Sequence, residues 1–509
     1  MFSSVGDYLG RRDLYTPDAE AFVDFSKTPP LRLTFAQANA RANRLARAFR
    51  AFGVHRGDCV AILARDGIEH LDCFFACGKI GATHVPLNWR SHWRENIDIL
   101  RRIRPRILLF SDDFAVAAAH FSHEECVRKT IHLDGDGVER SESFNDVLAA
   151  HTDEPVIDPT LSEEHIAALI FTGGTTGLPK AAQISHRQIA WNALNAIIHD
   201  LRHGDRYLNV FPLFHTGGLF VYTLPLAILG GTTLLLRQFD AQRTLDLLDD
   251  ERVTVFAGVP TMYQMMTAAA NWETCALGTL RFCTSGGAPL PTQIIEKYWT
   301  EKSVRFKQGF GMTEFGPGAF ALAPEDAVRK AGSIGRPNFF VDAGVVNDAG
   351  EFLPQDMEGE LVLRGPSRSS GYFGSPEATA EAVDAAGWFH TGDVAKYDAE
   401  GYFFIVDRKK DMFISGGENV YPAEIERALY AHPAVEMCAV IGVPDEKWGE
   451  VGKAFVVLKP DCQVTESEAL AFLRERLASY KTPKYVVFLE ELPMAATGKI
   501  LKRELKSLG

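Results

Sequence analysis

Residues 170–182 read Ile-Phe-Thr-Gly-Gly-Thr-Thr-Gly-Leu-Pro-Lys-Ala-Ala, and these residue types at this spacing make an anion cradle. Gly173, Gly174 and Gly177 let the backbone turn its N–H groups inward around a negative ligand. Thr172, Thr175 and Thr176 add hydroxyl donors, and Lys180 adds a positive charge. The ligand such a loop suits is a polyphosphate. It is not a Walker A loop, which needs Gly-Lys-Ser/Thr in direct succession. Here Leu178 and Pro179 separate Gly177 from Lys180, and Ala181 follows the lysine.

Further along, Gln308-Gly309-Phe310-Gly311-Met312-Thr313-Glu314 offers an aromatic face, a hydroxyl and a carboxylate together. Phe310 suits stacking on a purine, Thr313 suits donation to a phosphate, and Glu314 suits Mg²⁺, a hard cation that takes oxygen ligands. Trp388-Phe389-His390-Thr391-Gly392-Asp393 ends in a carboxylate able to accept both hydroxyls of a ribose. Arg408 follows in a charged run, Ser415-Gly416-Gly417-Glu418-Asn419 is a Gly-opened loop, and Thr497-Gly498-Lys499 sets a lysine on a turn near the C-terminus. Each piece alone has a structural explanation: Glu314 as a helix N-terminal carboxylate, Asp393 as a turn cap, Lys499 as one solvated lysine among many. Their coincidence in one order is what carries the signal.

The elements that position these groups follow from periodicity. Thr34 precedes a helical pattern from Phe35 to Phe52, with Ala38, Ala42, Leu45, Ala46 and Phe49 on one face. Cys59–Leu63 reads as a buried strand, Ile68–Ile80 as a helix and His84–Leu87 as a strand. The alternation resumes at Tyr207–Phe211, Thr232–Leu236, Val253–Ala257 and Leu280–Thr284. Such alternation predicts an α/β chain with largely parallel sheets. After Ser333 the strands are short and split by Gly, Pro and Asp, which predicts a small β-rich module. Beyond the run Asp407-Arg408-Lys409-Lys410-Asp411, itself readable as a solvated turn, the pattern is that of a compact α+β domain.

Composition narrows the function. At roughly 150 residues per domain, 509 residues predict about three units. A net charge of −13 leaves no basic surplus for nucleic-acid binding. The eight cysteines show no second pair or histidine cluster that would complete a metal site, so they read as reduced thiols of a cytoplasmic protein. The apolar run Val221–Leu236 is broken by Pro225 and Gly230-Gly231, too short to span a bilayer.

Taken together, the segments resemble the adenylate-forming superfamily of acyl-CoA synthetases, aryl-CoA ligases, beetle luciferases and peptide-synthetase adenylation domains. The likeness runs from about Leu33 to Lys506. Ile414-Ser415-Gly416-Gly417-Glu418-Asn419-Val420-Tyr421-Pro422 is most similar to the fatty and medium-chain acyl-CoA ligase branch. Two positions depart from the family pattern: Gly173 stands where Ser or Thr is usual, and Ala181 where Gly is usual.

The resemblance implies a large N-terminal domain of two sheet-and-helix layers plus a small β-barrel (residues 1–406), a hinge (407–411) and a small mobile C-terminal domain (412–509). It implies ATP-dependent activation of a carboxylic acid to an acyl-AMP with pyrophosphate release, then thioester formation with coenzyme A. The expected acid is fatty or medium-chain, with an aryl acid as alternative. Amino-acid activation for a carrier protein is disfavoured, since Val210–His215 lacks a carboxylate to pair with a substrate ammonium. A non-catalytic binding module is disfavoured by the presence of both Glu314 and Lys499.

By the same resemblance the catalytic residues are Lys499, Glu314, Thr313 and His215, with Mg²⁺ on Glu314. Nucleotide and coenzyme A contacts fall to Thr172, Gly173, Gly174, Thr175, Thr176, Gly177, Lys180, Gly287, Ala288, Phe310, Gly311, Met312, Thr313, Asp393, Arg408, Lys410, Gly416, Gly417 and Lys499. Lys410 takes the hinge position, and Gly416 and Gly417 line the pantetheine path. The acyl pocket draws on Phe214, His215, Gly258–Met262, Thr284–Gly287 and Gly311-Met312. A homodimer and weak peripheral membrane contact stay open.

Overall fold

Thr34 ends a strand and starts a helix, and its side chain shows why. Its hydroxyl accepts from the Gln37 amide while the Gln37 side chain accepts from the Thr34 amide, a reciprocal cap on the helix Phe35–Ala51. The computed structural model describes residues 4–121, 124, 126–134, 141–172, 179–409, 411–415, 418–494 and 500–508. Its chain falls into two compact units: 1–342 with 364–381, and 343–363 with 382–509.

The first unit carries two sheets. Nine strands of one run in the order Arg336–Pro337, Gly316–Leu322, Phe306–Met312, Phe282–Gly286, Val255–Gly258, Arg206–Asn209, Thr232–Leu235, Glu20–Asp24, Leu31–Thr34. Its six middle strands, from Phe306–Met312 to Glu20–Asp24, are parallel, and antiparallel strands flank them at both ends. The seven-stranded sheet runs Ser141–Ser143, Lys129–His132, Ile107–Phe110, Cys59–Leu63, Thr83–Pro86, Ile166–Thr172, Lys180–Ser185. It is parallel except for its last pair.

The helix Ile68–Ile80 lies in the core between these layers. It is buried nearly all round, so its apolar residues face both layers and its charged ones need partners inside. Phe74 and Phe75 pack with Phe22 and Leu235 of one sheet and with Ala168, Ile170 and Ile184 of the other. Cys73, Ala76, Cys77 and Ile80 pack with Val60, Ile62 and Ile107. Its charged residues are answered inside: Arg41 meets the Asp72 carboxylate at 2.6 Å, and Lys79 Nζ donates to Asn39 Oδ1 at 2.8 Å.

The second unit opens with an antiparallel four-stranded sheet, Asp342–Val346, Gly359–Arg364, Phe389–Tyr397 and Phe403–Arg408. It ends in a five-stranded sheet led by the long hairpin Val435–Asp445 and Gly449–Leu458, covered by the helices Pro422–Tyr430 and Glu466–Arg474. The charged run 407–411 leaves the strand Phe403–Arg408 and turns, with the Asp411 and Met412 amides donating to the Arg408 carbonyl. No helix among the described residues is long and apolar enough to cross a membrane.

Several elements differ from the sequence expectation. Val221–Leu236 is broken at Gly230-Gly231 as expected, with the strand Thr232–Leu235 one residue shorter than predicted and Pro225 held inside a short helix, Thr223–Leu229. The N-terminal helix Asp7–Tyr15 and the strands Glu20–Asp24 and Leu31–Thr34 carry too little periodicity to be read. Glu20–Asp24 is buried on both faces and pairs with Leu31–Thr34 and Thr232–Leu235.

Candidate active site

In the first unit the sequence-predicted segments meet at one place, the C-terminal ends of neighbouring parallel strands. Phe306–Met312, Phe282–Gly286, Val255–Gly258 and Arg206–Asn209 are adjacent in that order, and each runs directly into a segment singled out from sequence. Open α/β sheets bind ligands at this edge, because loops there can vary while the strands hold their bases. Thr284 to Gly287, Gly258 to Met262, and Phe214 with His215 all follow these strand ends.

Thr313 and Glu314 lie in neither a helix nor a cap. With Phe315 they form the three-residue turn of a hairpin in which Met312 faces Gly316. Gly316 takes φ +87°, where a side chain would be strained. A Cβ at Gly311 would lie 2.4 Å from the Gly316 and Pro317 backbone, so the strands close only because residue 311 has none. The helix His186–Ile198 holds this hairpin from behind. Gln188 donates to the Thr313 carbonyl at 3.0 Å; four residues on, Asn192 accepts the Gly318 amide at 3.1 Å. Phe310 sits edge-on to Phe320 at 5.7 Å and is half-buried. Gly287, at φ +82°, and Ala288 lie exposed beyond the neighbouring strand.

The Glu314 carboxylate is half-buried and held by a residue that sequence reasoning missed. Tyr372 donates its phenol proton to Glu314 Oε1 at 2.9 Å. Burial, then the negative charge of Glu314, push the Tyr372 phenol well above its usual range, so it remains a donor. The face of the same ring lies 5.0 Å from Lys180 Nζ. Tyr372 thus links the carboxylate to the lysine of the Gly/Thr loop. A tyrosine 58 residues after Glu314 has no spacing that would betray this.

The loop itself springs from a hairpin: Thr172 pairs with Lys180, and the Thr172 hydroxyl donates to the Lys180 carbonyl at 3.3 Å. Arg102 bonds to the Pro179 carbonyl and to Ser375 Oγ, tying the loop's end to the Tyr372 segment. Ala181 is fully buried beside Leu169 and Phe373, so this departure from the family glycine is absorbed by packing. Gly173, Gly174, Thr175, Thr176, Gly177, Lys410, Gly416, Gly417 and Lys499 lie outside the described residues.

His215 precedes a short helix, and its Nδ1 accepts the Gly217 amide at 3.2 Å. The neutral ring therefore carries its proton on Nε2. The adjacent Leu213 amide donates to Asp66 Oδ1 at 2.7 Å. Asp66 is 147 residues away in sequence, so the fold brings a carboxylate to a loop whose own sequence has none. Burial pushes its carboxyl up to about 7, opposed by the Leu213 hydrogen bond.

In the second unit Asp393 and Arg408 are cross-strand partners, Nε to Oδ1 at 3.0 Å. Asp393 is mid-strand rather than a turn cap, with its carboxylate buried and the guanidinium half-exposed. Asp407 turns the other way and accepts the Ala423 amide at 2.8 Å.

The model of the AMP-binding enzyme family matches residues 11–373, and that of the AMP-binding enzyme C-terminal domain matches 424–499. The chain belongs to the AMP-binding enzyme family. Within this superfamily it falls in the acyl-CoA synthetase branch, and it is an acid–thiol ligase that uses ATP and coenzyme A. It is 42% identical over 503 residues to a feruloyl-CoA synthase of an Amycolatopsis species, covering 99% of this chain and 98% of that one. It is 36% identical over 504 residues to a long-chain-fatty-acid–CoA ligase of Mycobacterium tuberculosis, covering 99% and 98%. Among solved structures, an o-succinylbenzoate coenzyme A synthetase of Bacillus subtilis in complex with ATP and magnesium ion superposes with a TM-score of 0.86. That chain is 30% identical, with 98% of this chain and 99% of that one covered. Family membership agrees with the expected fold, a mixed α/β chain with a large N-terminal and a smaller C-terminal part.

Proposed function

We propose that this ligase joins a compact aromatic or arylalkenoic acid to coenzyme A through an acyl-adenylate. The observation that carries this reading lies behind the strand ends. The Tyr222 hydroxyl meets Thr284 Oγ1 at 2.6 Å, and the Tyr263 hydroxyl donates to the Thr284 carbonyl at 2.7 Å. Tyr263 continues into edge-to-face contacts with Phe256, Tyr298 and Phe306, and Tyr222 into Tyr207. Ring packing thus backs the strand at Thr284 on both of its faces, at the segment that the sequence assigns to the acyl pocket. Packed rings at that segment favour a flat acid over a long alkyl chain, which needs an open channel. The identity with the feruloyl-CoA synthase supports the same choice. The aryl acid, second in the sequence reading, therefore moves ahead of the fatty acid.

The chemical problem is repulsion between a carboxylate and the α-phosphate of ATP. Lys180, beside Tyr372, would lower that barrier at the phosphates, and Lys499, by the family resemblance, would do so at the reacting carboxylate. Glu314 fits magnesium: one oxygen is fixed by Tyr372, the other has no hydrogen bond among the described residues, and the donor is a hard carboxylate. Bound there, the ion supplies positive charge at the departing pyrophosphate. Phe310 takes the purine face, and Asp393 with Arg408 the ribose.

In the second step the thiol gives its proton to solvent, its sulfur bonds to the acyl carbon, the bond from that carbon to the phosphate oxygen breaks, and AMP leaves. His215 presents an N–H at this stage, so it orients the acyl group rather than removing the thiol proton. Residues 407–411, with Lys410 at the pivot, serve as the hinge, and Gly416 and Gly417 line the thiol's path. The test is pyrophosphate release and thioester formation across benzoic, cinnamic, medium-chain and long-chain acids, with and without coenzyme A. Turnover confined to fatty acids of more than about ten carbons would refute the aromatic pocket, since such chains exceed the reach of a closed small-molecule cleft.

A further inference from the structure

Cys73 and Cys77 stand one turn apart on the buried helix Ile68–Ile80, and His84 lies in the strand Thr83–Pro86 that follows. Gly81, at φ +74°, ends the helix and reverses the chain, which brings His84 back alongside the last turns. The two sulfurs and a ring nitrogen of His84 all lie within 4.8 Å of one another. The sequence spacing, with no second pair or histidine cluster, does not reveal this approach. All three residues are fully buried.

A second observation points the same way. Both ring nitrogens of His84 are buried with no hydrogen-bond partner. A neutral imidazole buried among apolar groups normally bonds through at least one of them. Around it are the edge of Phe74 at 5.5 Å and, beside the cysteines, Val60, Ile62, Ala76, Ile80 and Ala82. Among the described residues no group hydrogen-bonds the imidazole. An unpartnered imidazole nitrogen within 4.8 Å of two thiol sulfurs has the donor set of an incomplete metal centre.

We propose that Cys73, Cys77 and His84 hold a zinc-class dication that ties the end of this helix to the next strand. Sulfur and imidazole donors select a soft or borderline d¹⁰ ion over magnesium or calcium, which take oxygen. Charge decides between the soft ions. Two thiolates and a neutral imidazole around a dication make a neutral complex, the only kind a dry interior holds cheaply. Zinc–sulfur bonds of about 2.3 Å and zinc–nitrogen bonds of about 2.0 Å put tetrahedral donors roughly 3.6–3.8 Å apart. The donors need to draw in by about 1 Å, within reach of χ rotation. Binding forms two metal–sulfur bonds and one metal–nitrogen bond and sends two thiol protons to solvent.

His70 lies on the same helix stripe, one turn before Cys73. Its Nε2–H donates to the Ala64 carbonyl at 3.1 Å, and its Nδ1 is buried without a partner. It is outside the three-residue cluster but has a spare lone pair for a fourth position. The site stands apart from Glu314, whose carboxylate suits magnesium.

The test uses the full chain, chelated and then titrated with cadmium, which reports thiolate ligation by charge-transfer absorption. Wild type is expected to take one cadmium per chain with a two-thiolate band and to melt at a higher temperature with metal. Cys73→Ala, Cys77→Ala and His84→Leu are expected to bind at least tenfold more weakly and to lose the metal-dependent melting shift. Cys462→Ala, which removes the one cysteine that is not buried, is expected to keep both. Folded wild type with no cadmium band would overturn the proposal, as would a band that survives in Cys73→Ala and Cys77→Ala but disappears in Cys462→Ala. Should a core variant fail to fold, the wild-type and Cys462→Ala titrations still decide.

Discussion

Replacing Tyr372 by Phe removes one oxygen and leaves the ring. The lost interaction is the 2.9 Å hydrogen bond from the phenol to Glu314 Oε1. A hydrogen bond to a charged acceptor contributes about 1.5–3 kcal/mol. At 1.36 kcal/mol per tenfold, that sets a ceiling of roughly 10- to 150-fold in rate. Glu314 is only half-buried, so water can replace the donor, and the expected loss is near the lower end. The prediction is therefore about a tenfold fall in kcat/KM for ATP–pyrophosphate exchange, with more magnesium needed for half-maximal rate. Tyr372→Leu also removes the ring face near Lys180, an exposed cation–π contact of about 0.5–1 kcal/mol, and should lose roughly two- to fivefold more. The assay is isotope exchange between pyrophosphate and ATP over a magnesium series. An unchanged magnesium dependence in Tyr372→Phe would mean that the phenol does not position Glu314 for the ion, and the reasoning fails.

Lys499→Ala should cut ATP–pyrophosphate exchange roughly a hundredfold or more while leaving thioester formation from a supplied acyl-adenylate much less affected; equal losses in both half-reactions would count against a role in the first step. Gly311→Ala forces a Cβ to 2.4 Å from backbone that cannot yield and should cost about 1–3 kcal/mol, read as a lower Tm together with a raised KM for ATP. For Asp66 the folded carboxyl titrates at about 7 against 3.8 for the unfolded chain, so its contribution is largest below pH 4, declines as pH rises and is gone above 7. Urea unfolding at pH 5, 6, 7 and 8 should show wild type losing stability relative to Asp66→Asn as pH rises, and a flat difference would refute the burial argument.

Much of the architecture is legible from residue order. The boundaries predicted for Cys59–Leu63 and Ile68–Ile80 coincide with those observed: the strand is apolar throughout and follows Asp58, and the helix lies between Gly67 and Gly81. The helix after Thr34 is legible because its cap and its apolar stripe agree. Local chemistry also names candidates in the first unit: Thr172, Lys180, Phe310, Thr313, Glu314 and His215 are singled out by residue type and order. What they lack in sequence is a setting. Glu314 as a helix-end carboxylate and Asp393 as a turn cap were reasonable from local pattern. The first sits in a hairpin turn and the second mid-strand, since strand pairing rather than propensity decides both.

The sequence by itself determined the chemistry on offer: a phosphate cradle, a hard carboxylate, an aromatic face, and parallel strands whose ends could gather them. Only the tertiary structure decided which distant groups answer one another. Tyr372 on Glu314, Asp66 under Leu213, Gln188 behind Thr313 and His84 beside two cysteines are pairings across the chain or around a reversal. Local periodicity records which face of an element is buried. It does not record which polar atom the opposite element will place there, because that is fixed by strand order and helix packing after the chain has closed on itself.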